Sequence, residues 1–281
     1  MRLSNHIKIA IFSALTFFEI SQIQGEPLNL NLSLCNGWRQ DRIEATIEVF
    51  DPPGHPRMTE KLKADKMNTY QVGGKARFAV CDYRVRAEAF WGWGTSGNYL
   101  DKTKHNEILP GYRFHPTTTK AGINTTSTQD FTIGAGYLFT LGQFLEIIPI
   151  AGLSYHSQRL KIHNAQTNGE CNRIVDGVRY LNQWQGPWAG VDAVLKFCDV
   201  AIQGGYEYHW ADWRGRWKLH TPNVYGVAFT DKRKSDNVRG QVAYIDVRWN
   251  FAPCWEAGIG VKVGTWTAKK GKLKPRSIRV K

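Results

Sequence analysis

Four residues have the clearest capacity for chemistry: His105, His209, Asp212 and His220. A histidine oriented by a carboxylate acts as a general base, and neighbouring acids can hold a water for attack on an acyl carbon. No His and acid in this set stand at an offset that makes a ready acid–base pair. Asp101 and Glu107 lie close in sequence, but at other offsets. The preferred reading of these residues is polar groups beside an aromatic belt, and the expectation is no catalytic residue. There is no G-x-x-x-x-G-K-[ST], no H-E-x-x-H and no calcium loop, so no cofactor and no metal are expected. Asn124-Thr125-Thr126 matches the glycosylation acceptor pattern, which is frequent by chance.

The five cysteines are Cys35, Cys81, Cys171, Cys198 and Cys254. None form a C-x-x-C pair, which speaks against zinc. Because the number is odd, at least one thiol is free or joined to another chain. Cys81, Cys198 and Cys254 fall in short turns and are candidates for disulfides to other envelope proteins. The alternative is three small turn residues with no pairing.

The elements that carry these residues alternate with period two, the signature of strands with two unlike faces. The clearest is the hairpin from Trp188 to His220, turning at Cys198-Asp199. On its return arm Val200, Ile202, Tyr206, Tyr208 and Trp210 share one face; Gln203, Gly205, Glu207 and His209 share the other. An apolar face ending in aromatics, opposite a charged and glycine-rich face, is the pattern of a transmembrane barrel. With the two arms of this hairpin, nine strands read the same way. One long strand covers 28–49, with a break near Gly37; the others are 72–80, 83–93, 129–140, 144–163, 189–197, 200–210, 238–251 and 255–266. Pro149 lacks an amide donor, so a bulge or gap is expected there. Short turns at 81–82, 141–143, 198–199 and 252–254 alternate with long polar loops, as in outer-membrane barrels.

The fold class expected is therefore all-β: a transmembrane antiparallel up-and-down β-barrel of about ten strands. Nine strands are clear, and an open edge cannot face lipid. The tenth comes from the basic tail, from a split first strand, or from chain beyond this sequence. The lumen-facing candidates are Lys75, Arg77, Arg84, Arg86, Glu88, Asp192, Lys196, Glu207, His209, Asp246, Arg248, Glu256 and Lys262.

Composition sets the outer bounds. The 281 residues carry a net charge of +13. No interior run reaches the roughly 20 apolar residues of a membrane helix. Arg2 and Lys8 precede an apolar run, Ile9–Phe18, followed by small residues near Gly25. This reads as a secretory signal peptide over 1–25, with a buried N-terminal helix as the alternative. The barrel is expected over 26–268 and a basic C-terminal tail over 269–281. That tail is solvated, or touches anionic lipid or lipopolysaccharide. Nucleic acid is not expected, because no stacking aromatics interleave the tail's charges.

Three segments then carry a resemblance. L-S-L-C-N-G-W-R-Q-D-R-I-E-A-T-I (32–47), G-W-G-T-S-G-N-Y-L-D (92–101) and G-G-Y-E-Y-H-W-A-D-W (204–213) are similar, in order and spacing, to omptins, ten-stranded outer-membrane proteases. The resemblance implies a water held by an Asp-Trp-x-Asp segment and an Asp-x-His pair. Here those segments fall on Thr103-Lys104-His105-Asn106 and on Lys218-Leu219-His220, and only His220 matches. The cysteine-bearing turns, the Trp content and this non-catalytic plan also resemble the Protochlamydia outer membrane protein family, which implies a porin-like role.

The expectation is a protein of the bacterial outer membrane, porin-like or structural, non-enzymatic, in contact with outer-membrane lipid and lipopolysaccharide. An open lumen would prefer anions, since cations outnumber acids among its candidates. Barrels of about eight strands are filled by their own side chains, so a plugged lumen is the competing view. Two alternatives remain. One is an altered hydrolase in a cleft between the second and fourth long loops, with His105, His209, Asp212 and His220 as candidates; Arg214 and Arg216 complete the loop-cleft set, in a run from Trp210 to Trp217 that suits a glycan or a lipid A phosphate, or else an interfacial belt. The other is an adhesin displaying those loops.

Overall fold

Every described helix or strand element is a strand. The computed structural model describes residues 3–25, 28–50, 56–105, 117–168, 174–175, 178–219, 227–252, 255–269 and 272–280. The strands are β1 (Leu3–Gly25), β2 (Leu28–Phe50), β3 (Pro56–Val80), β4 (Tyr83–His105), β5 (Thr117–Tyr137), β6 (Phe139–Leu141) and β7 (Leu145–Asn168). They continue with β8 (Ile174–Val175), β9 (Val178–Phe197), β10 (Val200–Leu219), β11 (Val227–Ala252), β12 (Trp255–Lys269) and β13 (Lys272–Val280). Ten of them form an antiparallel ring, β1-β2-β3-β4-β5-β7-β9-β10-β11-β12, which closes where β12 pairs with β1.

The structure departs from the sequence reading at three places. Residues 1–25 are expected as a signal peptide, with the barrel starting at 26. In the structure Leu3–Gly25 is a wall strand, paired with β2 on one side and β12 on the other. Nine strands leave two unsatisfied backbone edges, and β1 satisfies both. Residues 269–281 are expected as a separate basic tail. Instead β13 continues β12 along β11: Val238 faces Ala268, and Lys234 faces Lys272 in the same register. The long loops also contract. β4 runs to His105, β5 starts at Thr117 and β11 at Val227, inside segments expected to be loops. Strand β2 is unbroken through Gly37. Opposite Pro149 the ladder is interrupted at Leu138 without a change of register, a gap rather than a bulge.

Each strand changes character along its length. On β2 the outward residues are Leu32, Leu34 and Trp38, then Gln40, Arg42 and Glu44; the inward ones are Ser33, Cys35, Arg39 and Asp41, then Ile43 and Ala45. Near the short turns the wall is apolar outside and polar inside. Toward the long-loop end it is polar outside and apolar inside. The first arrangement suits lipid and the second suits water.

Exposed aromatics bound the apolar part: Tyr83, Phe139, Phe144, Trp249 and Trp255 at the short-turn end, and Trp38, Tyr70, Trp91, Trp93 and Trp210 at the other. Tyr83 and Trp93 are ten residues apart on β4. That is about 33 Å along the strand, or about 25 Å along the normal at a tilt of about 40°, the height of a barrel's apolar band. With 23 residues, β4 stands about twice that tall, so much of the barrel rises into solvent beyond the outer girdle.

Candidate functional site

The inward faces converge in the lumen, which is stacked in four levels. At the short-turn end is a vestibule of about 840 Å³, lined by Asn31, Arg77, Arg84, Lys196, Arg248 and Glu256 among others. Lys196 reaches Glu146 at 2.5 Å, and Arg248 pairs with Glu256 at 3.5 Å. Arg84 donates from Nη1 to the backbone carbonyls of Cys81 and Tyr83, at 2.5 and 3.0 Å.

Above it lies a charge-balanced level. Arg86 donates to both oxygens of Asp192, at 3.1 and 2.9 Å, to Tyr244 Oη at 2.5 Å, and to Glu207 Oε1. Its guanidinium carbon also lies 5.1 Å from the Trp188 ring centroid. Lys75 sits 3.3 Å from Asp246 and 3.9 Å from Glu88, Lys262 sits 3.2 Å from Glu88, and Arg77 sits 4.0 Å from Asp246. Four cations (Lys75, Arg77, Arg86, Lys262) thus meet four carboxylates (Glu88, Asp192, Glu207, Asp246). Burying such charges costs little only when every one is paired.

The third level contains the histidines. His209 Nε2 is 2.9 Å from Glu207 Oε2, and its Nδ1 is 3.0 Å from Ser154 Oγ. The ring lies between Trp188 and Trp266, with centroids 5.9 and 4.8 Å away. His156 meets Asp130 at 2.8 Å, Arg39 bridges Asp130 and Asp41 at 2.5 and 2.6 Å, and Gln158 donates to Asp41 at 2.6 Å. A cavity of about 50 Å³ lies beside Glu88, Asp130, His156 and Lys262, room for water and little else. Ser154, His209 and Glu207 follow the order nucleophile, base, acid. Their 6%, 1% and 2% exposure leaves a substrate no path to the Ser154 hydroxyl.

The fourth level is apolar. Leu62, Met67, Ile123, Leu160, Ile162, Tyr180, Trp184, Trp213 and Val242 form a buried cluster across the lumen with Trp266. Two inward glycines make room for its rings and those below. A Cβ on Gly240 would come within 2.5 Å of the Trp266 ring, and one on Gly134 within 2.6 Å of Trp188.

All thirteen lumen-facing candidates line the interior, from Arg84, Lys196, Arg248 and Glu256 in the vestibule to His209 in the third level. Arg39, Asp41, Asp130, His156 and Tyr244 were missed, although Asp130 alternates with Phe131 and Arg39 shares parity with Cys35.

The cleft candidates are corrected. Asp212, Arg214 and Arg216 belong to β10, not to a loop. The extra residue at the register shift beside Trp213 lies on β11, between Ser235 and Val238, so alternation on β10 continues unchanged: Trp213 faces inward with His209 and Ala211, and Arg214 and Arg216 are exposed outside. His105 ends β4, with its side chain outside the described residues; His220, Cys171 and Cys254 also lie outside them. Cys81 and Cys198 are exposed free thiols at the short-turn end, and Cys35 is a buried free thiol in the wall.

Comparison with known proteins agrees with this architecture. The outer membrane protease OmpT from Escherichia coli superposes with a TM-score of 0.51 at 11% identity, covering 97% of both chains. The outer membrane protein OprG from Pseudomonas aeruginosa gives 0.37 at 11% identity, over 94% of this chain and 96% of that one. No curated protein matches the sequence. The model of the Protochlamydia outer membrane protein family matches residues 33–280. The chain is an outer-membrane β-barrel and belongs to the Protochlamydia outer membrane protein family.

Proposed function

We propose that the protein serves the envelope as a sealed, non-proteolytic structural barrel rather than as an open pore. The observation that carries this reading is the filled lumen. An apolar cluster drawn from nine strands, β2 to β5, β7 and β9 to β12, closes the half beyond the outer girdle. Beneath it, ion pairs and Trp188 occupy the membrane level. Among the described residues, packed side chains stand between the vestibule and a cavity the size of one or two waters, an arrangement that bars the free passage of water. The reading against proteolysis rests on residues 103–106, which lack carboxylates. Exposed Cys81 and Cys198 suit disulfide exchange with other envelope proteins on the periplasmic side. Liposome swelling tests the seal. Vesicles carrying the folded protein should swell in arabinose or glutamate no faster than protein-free vesicles. Swelling that rises with the amount of protein would overturn the reading.

A further inference from the structure

The vestibule lies at the short-turn end, which in an outer-membrane barrel faces the periplasm. At about 840 Å³ it falls in the size range of small-ligand sites. Most of its lining charges are already matched. Lys196 has Glu146, Arg248 has Glu256, Arg86 has Asp192, and Arg77 has Asp246. Two lining charges, Arg84 and Asp199, have no ionic partner among the described residues.

Arg84 is nonetheless fixed in place. Its Nη1 donates to the carbonyls of Cys81 and Tyr83, at 2.5 and 3.0 Å. Carbonyl oxygens orient a guanidinium without neutralising it, and they leave its other N–H groups for a carboxylate. Asp199 is exposed in the turn between β9 and β10, and its backbone carbonyl accepts from the Asn250 amide at 2.8 Å.

The path from β4 to β10 runs through β5, β7 and β9, so in a ring of ten the two charges stand nearly opposite each other. Ten strands about 4.8 Å apart and tilted by about 40° enclose a ring about 20 Å across. The inward reach of both side chains leaves about 10–15 Å between the charged groups, the span of about three or four extended residues. Asn29 and Asn250 offer side-chain amides that bond to no described residue, and Ile148 and Phe251 add apolar surface. Such amides match the donors and acceptors of a peptide backbone. A simple anion would meet one unmatched cation and one unmatched carboxylate, whereas a zwitterion satisfies both.

We infer that the vestibule binds a free tripeptide or tetrapeptide from the periplasm, with its terminal carboxylate on Arg84 and its terminal ammonium on Asp199. This site stands whether or not the lumen above it conducts. Isothermal titration of the refolded chain, in non-ionic detergent, with the peptide Ala-Leu-Ala tests it. Wild type should bind one peptide per chain. Acetylating the peptide's amino end, or amidating its carboxyl end, should each weaken binding about tenfold or more. Arg84→Gln should weaken the free peptide as much, yet leave affinity for the amidated peptide unchanged. Asp199→Asn should do the same with respect to the acetylated one. Heat-modifiable gel mobility verifies that each variant is folded, and the capped peptides test the wild type itself where a variant is not. Four outcomes would overturn the inference: no saturable binding, equal binding of free and capped peptides, unchanged affinity in folded variants, or displacement of the peptide by equimolar inorganic phosphate.

Discussion

Arg86 shows how one side chain holds the interior together. It is the shared partner of Asp192, Glu207 and Tyr244, drawn from β9, β10 and β11 onto β4. Removing it leaves two carboxylates facing each other in a site nearly closed to water. Arg86→Ala should therefore destabilise the barrel by about 3–5 kcal/mol. Urea unfolding in detergent, followed by tryptophan fluorescence, checks this; a midpoint equal to wild type would mean that Asp192 and Glu207 find other partners. Exposure sets a second contrast. Cys81 and Cys198 should react with a maleimide in the folded barrel, while Cys35 should react only after unfolding. A variant with Cys171 and Cys254 changed to Ser isolates the three thiols.

At the scale of the strand, the reversal of polarity sets the cost of a charge. Ile133 faces lipid and Ser96 faces solvent beyond the girdle, both exposed. Ile133→Arg should cost about 2–4 kcal/mol and Ser96→Arg nearly nothing. Equal unfolding midpoints for the two variants would displace the girdle assigned to Trp93. The bend in β3 at Lys66, where φ is 51° and the register shifts, places Asp65 2.8 Å from Lys63. The hydrogen bond from Lys63 holds the Asp65 carboxyl below the usual carboxylate range. This small contribution is present above the unfolded pKa and lost as pH falls through the folded one, so it should vanish in acid and be absent from Asp65→Asn.

Much of the wall was legible from parity alone, because period two assigns a face as soon as one neighbour's face is known. Lys75, Arg86, Glu88 and Asp246 followed from that rule. The N-terminal strand did not, since Ile9–Phe18 is apolar at both parities and carries no alternation to distinguish a strand from an export signal. Nor did the strand extensions beyond the girdle. There a polar outer face imitates a loop in composition, and the inward Leu62, Ile123 and Ile162 are too widely spaced among polar residues to advertise an interior.

For the whole molecule, one barrel combines two solvents' rules: a membrane half with a paired polar interior, and a water-exposed half with an apolar core. The proposed seal rests on that core. Single-channel recording in a planar bilayer tests that closure most directly. The folded wild type should insert without stable conductance steps. A variant with Trp184, Trp213 and Trp266 all changed to Ala removes the largest rings of the cluster and should show steps, which also verifies insertion. Stable steps from wild type, with anion preference across a salt gradient, would contradict the sealed lumen and return the protein to the porin reading.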